Sequence, residues 1–290
     1  MSTTSRPDPA STTAFAAVAT ARRRPLALRL LSGFLYTFGV LIVLLVLWQL
    51  ATTTWRSLFF VPPLTIWDNT LTLFFSGPSE SLFLTEAVTV DVANTMWRML
   101  LGFALGAVAG ILAGTIIGRI IAIRELTDPI VEFLRSIPAT ATLPLFIILL
   151  GAEDAMRIAF IAYSVMWFVL INTASGVSSI HRTLLETGRA FRVPAWKVLL
   201  RITIPAALPK IFAGLRIGTT VALLVAVVSE LMLASNGIGY RLIIAQAQFR
   251  MADLWSWIVL LALIGFLLNT LMELIERRIL AWDRLARVAA

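Results

Sequence analysis

Between Leu30 and Trp55 the sequence carries no Asp, Glu, Lys or Arg. A hydrocarbon layer of ~30 Å is crossed by about 20 helical residues. Inside it the backbone must satisfy its own hydrogen bonds, which a helix does. Four more uncharged runs follow: Met99 to Gly118, Ser136 to Ala152, Ile158 to Ile180 and Leu254 to Met272. A fifth starts at Ile217 and, interrupted by Glu230, continues to Tyr240. The expected fold class is therefore all-α, a polytopic transmembrane helical bundle of six spans. The run from Ser136 holds Pro138 and Pro144, so it is predicted to begin earlier, near Asp128-Pro129, and to be kinked. Composition agrees: 14% of residues are charged, where a soluble domain carries roughly a quarter. Residues 1–29, rich in Ser, Thr, Ala and Pro and then Arg, read as a disordered basic cytoplasmic N-terminus ahead of one membrane domain, 30–290.

The net charge of +8 sits between the apolar runs. This is the pattern of topogenic charge, not of a nucleic-acid partner. With the N-terminus in the cytoplasm, inner segments collect Arg22, Arg23, Arg24, Arg29, Arg119, Arg124, Arg182, Arg189, Arg192, Lys197, Arg201, Arg277, Arg278, Arg284 and Arg287. Outer ones hold Arg56, Arg98, Arg157, Arg241 and Arg250. Both termini are thus expected in the cytoplasm. The first apolar run is too long for a cleaved signal. Cysteine is absent and His181 is the one histidine, so a thiolate or zinc site is not expected. An intramembrane enzyme would need a nucleophile, metal or acid–base cluster, and the sequence offers none. In the outer segment, Leu64, Trp67, Leu71 and Phe74 at spacings of three and four predict a short amphipathic helix on the interface.

Three features stand out, the first of them a packing feature. Gly102, Gly106, Gly110, Gly114 and Gly118 recur every fourth residue, a stripe that lets another helix approach closely. Glu230 lies inside a span, and ionisable groups there are functional candidates by default. It is expected to pair with an arginine, and Glu230 and Arg98 are the translocation-pathway candidates. Arg135, Arg216 and Glu273 sit near span ends, where snorkelling or internal pairing is the simpler reading. The segment His181 to Pro209 is long, basic and amphipathic, with Leu184, Leu185, Phe191, Trp196, Leu199, Leu200 and Ile202 as apolar surface and Gly188 and Ala190 as small surface. Connections between helices are usually far shorter, so it reads as a docking surface, with a basic helix resting on anionic lipid as the alternative.

That segment resembles the cytoplasmic loop of binding-protein-dependent ABC importer permeases. Glu186, Thr187 and Gly188 occupy the Glu-Ala-Ala positions of the family pattern, Arg189 follows, and Ile204-Pro205 closes it. The stretches TMWRMLLGFALGAVAGILAG, LTDPIVEFLRSIPATATLPLFIILLG, AGLRIGTTVALLVAVVSELM, NGIGYRLIIAQAQ and LIERRILAWDR extend the resemblance over most of the chain. They are most similar to the nitrate, sulfonate, taurine and bicarbonate branch. The resemblance implies a type I ABC importer permease (MetI-like) fold with a core over 90–276. It implies that 181–209 docks an ATPase through Glu186, Thr187, Gly188, Arg189, Ala190, Phe191 and Arg192. It implies a homodimer, two cytoplasmic ATPase subunits, an extracytoplasmic substrate-binding protein and a place in the bacterial plasma (inner) membrane. No cofactor is expected on this chain, because ATP is used by the partner. Arg192 stands where the family has glycine, so the turn is expected to be shaped by Pro194 instead.

No Gly-Lys-Ser/Thr of a P-loop occurs, since Lys197 follows Trp196 and Lys210 follows Pro209. Energy must come from another subunit or from an ion gradient, which keeps a secondary transporter open as an alternative. Within the ABC reading, permeases for pyrimidine precursors or aromatic acids also look similar. Arg98 and Arg157 near the outer mouth favour an anion, and the chain is expected to be a permease, not an enzyme.

Overall fold

The computed structural model describes residues 26–55, 57–81 and 83–282, and among them every regular element is helical. In chain order these are α1 (Leu26–Trp55), α2 (Pro63–Phe75), α3 (Ala93–Arg119), α4 (Ile121–Ser136), α5 (Ala139–Leu150), α6 (Asp154–Ser178), α7 (Arg182–Ala190), α8 (Ala195–Val198), α9 (Ile204–Leu231), α10 (Ile238–Ala247) and α11 (Met251–Ile279). π-helical turns, Ala87–Val92 and Leu199–Thr203, lead into α3 and α9. The chain divides into two compact units, Met1–Ser57 and Leu58–Ala290. The predicted disordered stretch falls mostly outside the described residues. α1 starts at Leu26, ahead of the predicted start at Leu30.

The glycine stripe fixes the direction of the second unit. A Cβ at Gly102, Gly106, Gly110, Gly114 or Gly118 would come within 2.6, 2.5, 2.8, 2.5 and 2.6 Å of atoms of α6. The neighbours advance in step, from Ile161 through Ala162, Met166 and Leu170 to Ala174. α3 and α6 therefore run parallel, backbone against backbone. α9 is antiparallel to α6, with Ala207 beside Gly176, Gly214 beside Phe168 and Gly218 beside Val165. Met99, Phe160, Ile161, Val165, Val169, Ala222 and Ala226 form the dry core between these helices. α11 returns antiparallel along α9, through Gly265 against Leu223 and an Arg216–Glu276 ion pair.

Parallel neighbours require a crossing between them. From Arg119, at the end of α3, the chain must return to Asp154, at the start of α6 and beside Arg98. That path is α4 and α5, which meet at a bend of 91°. α5, with 12 residues, rises only about 18 Å, so it cannot cross alone and α4 completes the passage. Counting this bent pair as one span, the described residues hold six candidate crossings. The break lies at Ile137-Pro138, where Ile137 is extended (φ −74°, ψ 120°) as a residue before proline is forced to be. The predicted start near Asp128-Pro129 falls inside α4, which begins at Ile121 and carries Pro129 without ending.

One boundary is corrected. The span predicted to run to Tyr240 ends at Leu231. Gly237 then adopts φ +110°, and Tyr240 belongs to α10. Met232, Leu233 and Ala234 are apolar enough to imitate a continuing span in sequence. The amphipathic helix is present as α2, but it turns Ile66 and Phe74 inward and leaves Leu64, Trp67 and Leu71 exposed. Phe74 meets Trp257 edge to face at 4.9 Å, and Asn69 donates to Asp253 (2.9 Å) and Ser256 (3.0 Å), so α2 is strapped to α11.

Candidate functional site

The block α3–α6–α9 has two chemically different ends. One holds a buried polar clasp. The π turn before α3 carries Asp91 inward, and α3 itself adds Thr95 and Arg98. Arg98 Nη1 donates to Glu230 at 2.8 Å, Nε and Nη2 reach Asp154 at 2.9 and 2.7 Å, and Nη2 reaches Asn236 Oδ1 at 2.5 Å. Glu230 also accepts from Thr95 Oγ1 (2.8 and 3.0 Å) and the Gly239 amide (3.0 Å). Asp91 accepts from the Gly237 amide (2.8 Å) and Arg241 (2.6 Å). The expected arginine partner of Glu230 is thus Arg98, and the two candidate pathway residues are joined to each other and buried. Every carboxylate oxygen of Glu230 has a donor, which is what burial of a charge demands.

Gly237 allows this packing twice over. Its φ of +110° suits only glycine, and a Cβ there would stand 2.4 Å from the Glu230 carboxyl carbon. Arg157 pairs with Asp154 (3.1 Å) and donates to the Leu233 carbonyl (3.1 Å). Arg98 and Arg157 are only 3% and 4% exposed. Both are paired, Arg98 with Glu230 and Asp154, and Arg157 with the half-exposed Asp154, and both line a cavity of about 370 Å³ at this end of the bundle. Arg135 pairs with Glu132, and Glu273 with Arg277, as internal pairing predicts.

The opposite end carries α7. Glu186, Thr187, Ala190, Phe191 and Arg192 are exposed there, and the Arg189 side chain lies outside the described residues. Phe191 is 79% exposed and Trp196 59%, with Leu184 and Leu200 also open. Gly188 is not part of that surface. It is buried, and a Cβ on it would touch the chain's own Val198 and Ile202 at 3.3 and 3.4 Å. Its small size seats α7 on the segment that follows. Arg192 keeps the left-handed backbone (φ +51°) that a glycine would supply. Val193 N–H reaches back to the Gly188 carbonyl at 3.0 Å, closing α7 in a Schellman turn. Pro194 therefore does not replace the glycine turn; it starts α8 instead. The π turn after α8 sits just before Pro205, whose missing N–H leaves the Arg201 carbonyl without its regular partner. From Ala195 to Leu231 the chain is one helical rod of 37 residues, about 55 Å long, joining the α7 end to Glu230.

Sequence reasoning passed over a charged stripe on α4. Arg124, Asp128, Glu132 and Arg135 recur at spacings of three and four, are exposed, and pair as Arg124–Asp128 (3.4 Å) and Glu132–Arg135 (2.6 Å). The spacing was there to be read. Residues capable of forming a three-ligand metal site do not cluster among the described residues.

Residues 106–281 match the family described as binding-protein-dependent transport system inner membrane component. The putative aliphatic sulfonates transport permease protein SsuC of Escherichia coli (strain K12) is 31% identical over 237 residues, 81% of this chain and 87% of that protein. The taurine transport system permease protein TauC of the same organism is 29% identical over 249 residues, 85% and 89% of the two chains. In shape, a chain of a bacterial alginate ABC transporter crystallised with an alginate-bound periplasmic protein is similar at a TM-score of 0.60 and 18% identity, covering 85% of this chain and 97% of that one.

Proposed function

The chain belongs to the family of binding-protein-dependent transport system inner membrane components, and on that premise we propose how it works: as the passive membrane half of an ATP-driven importer, gripped at α7 by a separate ATPase. It is a multi-pass membrane permease subunit of the ABC type. The α7 end faces the cytoplasm of a bacterial cell together with both termini, and the clasp end faces outward, where a substrate-binding protein delivers solute. Two copies enclose the pathway, and each takes one ATPase subunit.

The observation that carries this reading is the open aromatic surface of α7 and its neighbour, Phe191 and Trp196, at the basic end of the bundle. Large apolar side chains left bare beside charged ones mark a surface meant to be covered by protein. Closure of the ATPases moves α7. Gly188, seated on Val198 and Ile202, passes the motion to the rod Ala195–Leu231, and Arg98–Glu230 ties the far end of that rod to α3. The burial of this pair supports a clasp that makes the outer end move as one body. Alternating access then follows from rocking two such blocks. The similarity to sulfonate and taurine permeases supports a small organic anion as cargo.

The chain has no cysteine, so Thr187→Cys supplies a unique thiol on the exposed face of α7. Cross-linking to the ATPase subunit in intact membranes is the expected outcome, together with loss of co-purification in Phe191→Asp. A thiol at 187 reactive only from the extracytoplasmic side contradicts the assignment.

A further inference from the structure

Arg98 and Arg119 stand at opposite ends of α3, 21 residues apart, which is about 32 Å of helix and close to the ~30 Å thickness of a hydrocarbon layer. On α6 the same interval separates Arg157 from Ser178. The clasp and the far ends of these helices therefore lie at opposite headgroup levels. At the far level the structure holds a cavity of about 590 Å³, walled by the end of α3, the start of α4, the end of α6, and parts of α7, α8 and the π turn before α9. α4 begins there with no side chain capping it, and Ile120 before it is extended (φ −110°, ψ 104°). The Arg124 N–H closes the first turn on the Ile120 carbonyl at 3.0 Å, which leaves the amides of Ile121, Ala122 and Ile123 without helical partners. Free amides at the positive end of a helix suit a phosphate.

The side chains around this helix start agree. Thr203, from the π turn, is 3% exposed, and its hydroxyl makes no hydrogen bond among the described residues. That oxygen is not sealed in as the Thr173 hydroxyl is, so it opens into the cavity it lines. Arg119 has no ion-pair or hydrogen-bond partner among the described residues, and Arg124 meets Asp128 only at 3.4 Å. Both arginines line the cavity, and no lining residue is acidic. We propose that this cavity holds the phosphate of an anionic phospholipid of the inner leaflet, which takes hydrogen bonds from the α4 amides and the Thr203 hydroxyl and is neutralised by Arg119 and Arg124. The headgroup level favours a lipid over a free phosphate, and Ile120, Ile180 and Leu185 supply the apolar wall that the rest of a lipid follows. Leu185 belongs to α7, and Val198, also in the wall, is the residue on which Gly188 sits. The bound headgroup therefore braces the docking helix from behind, against α3 and α4. The choice of leaflet rests on the orientation proposed above; the site itself does not.

The test uses the full chain, which has no native cysteine, with Ser178→Cys as a thiol in the cavity wall. It is placed in nanodiscs of phosphatidylcholine with or without about a quarter of phosphatidylglycerol, whose charge draws basic groups. The reagent is the neutral N-ethylmaleimide, and Thr187→Cys on the exposed face of α7 is the reference for the surface potential that anionic lipid brings. Phosphatidylglycerol is expected to slow labelling at 178 severalfold relative to 187. Arg119→Gln and Thr203→Val are each expected to remove that protection, and Arg278→Gln, at the same end but outside the cavity, to leave it. Equal slowing at both thiols, protection that survives Arg119→Gln or Thr203→Val, or protection lost in Arg278→Gln overturns the site. Inorganic phosphate added to phosphatidylcholine discs is the second arm, and protection as strong as that by phosphatidylglycerol overturns the assignment to lipid. Cross-linking of the 187 thiol to the ATPase subunit is read separately in native membranes. Its absence strikes the importer reading, whereas the protection ratio strikes only the cavity.

Discussion

α3 and the elbow α4–α5 are neighbours in sequence and opposites in construction. α3 buries Thr95, Arg98, Met99 and three consecutive stripe glycines together with Gly114, and it presses its backbone onto α6. α4 buries no residue at all, and α5 buries only Leu143. The first is fixed by close packing and a buried ion pair, both intolerant of small displacements. The second enters the dry core only from its α5 half, through Leu143, Phe146 and Ile147, and is bent at a proline, while α4 has no buried residue. The contrast teaches that α3, α6 and α9 are packed as one body, whereas α4 beside them is held by no buried side chain.

The harshest attack on the rigid side is Gly110→Leu. A Cβ alone would meet the Met166 carbonyl at 2.8 Å, so a leucine is expected to cost more than about 4 kcal/mol and leave little folded protein, read as loss of a monodisperse peak after extraction. Next is Arg98→Met, which strands Glu230 in the interior. A loss of about 3–5 kcal/mol is expected from thermal unfolding. At the elbow, Pro138→Ala lets Ile137 return to helical angles and α4 fuse with α5. Transport is expected to fall severalfold while stability moves by less than about 1 kcal/mol. An unchanged transport rate would erase the distinction between the two regions. The mildest change is Arg192→Gly, which relieves a left-handed backbone and is expected to stabilise by about 1 kcal/mol with ATPase docking intact.

Much of this contrast was legible in the sequence, but unevenly. Uncharged runs announce spans because lipid forbids charge, and the four-residue glycine period announces the close face of α3. Glu230 announced itself as a paired charge, although nothing local names Arg98, since the partner lies 132 positions away. The end of α9 was hidden because its loop is apolar, and only the turn at Gly237 betrays it. Gly188 was misjudged because residue size says where another chain can come close, not which chain. The left-handed Arg192 was hidden for a similar reason: the surrounding turn imposes a conformation its own chemistry disfavours.

The central claim is that this chain moves solute only when an ATPase grips α7. Uptake by proteoliposomes holding the purified chain, with and without its ATPase subunits and ATP and under an imposed proton or sodium gradient, tests it directly. With the substrate-binding protein supplied on the outer side throughout, the account predicts uptake only when ATPase and ATP are both present. Uptake driven by the ion gradient alone would contradict it.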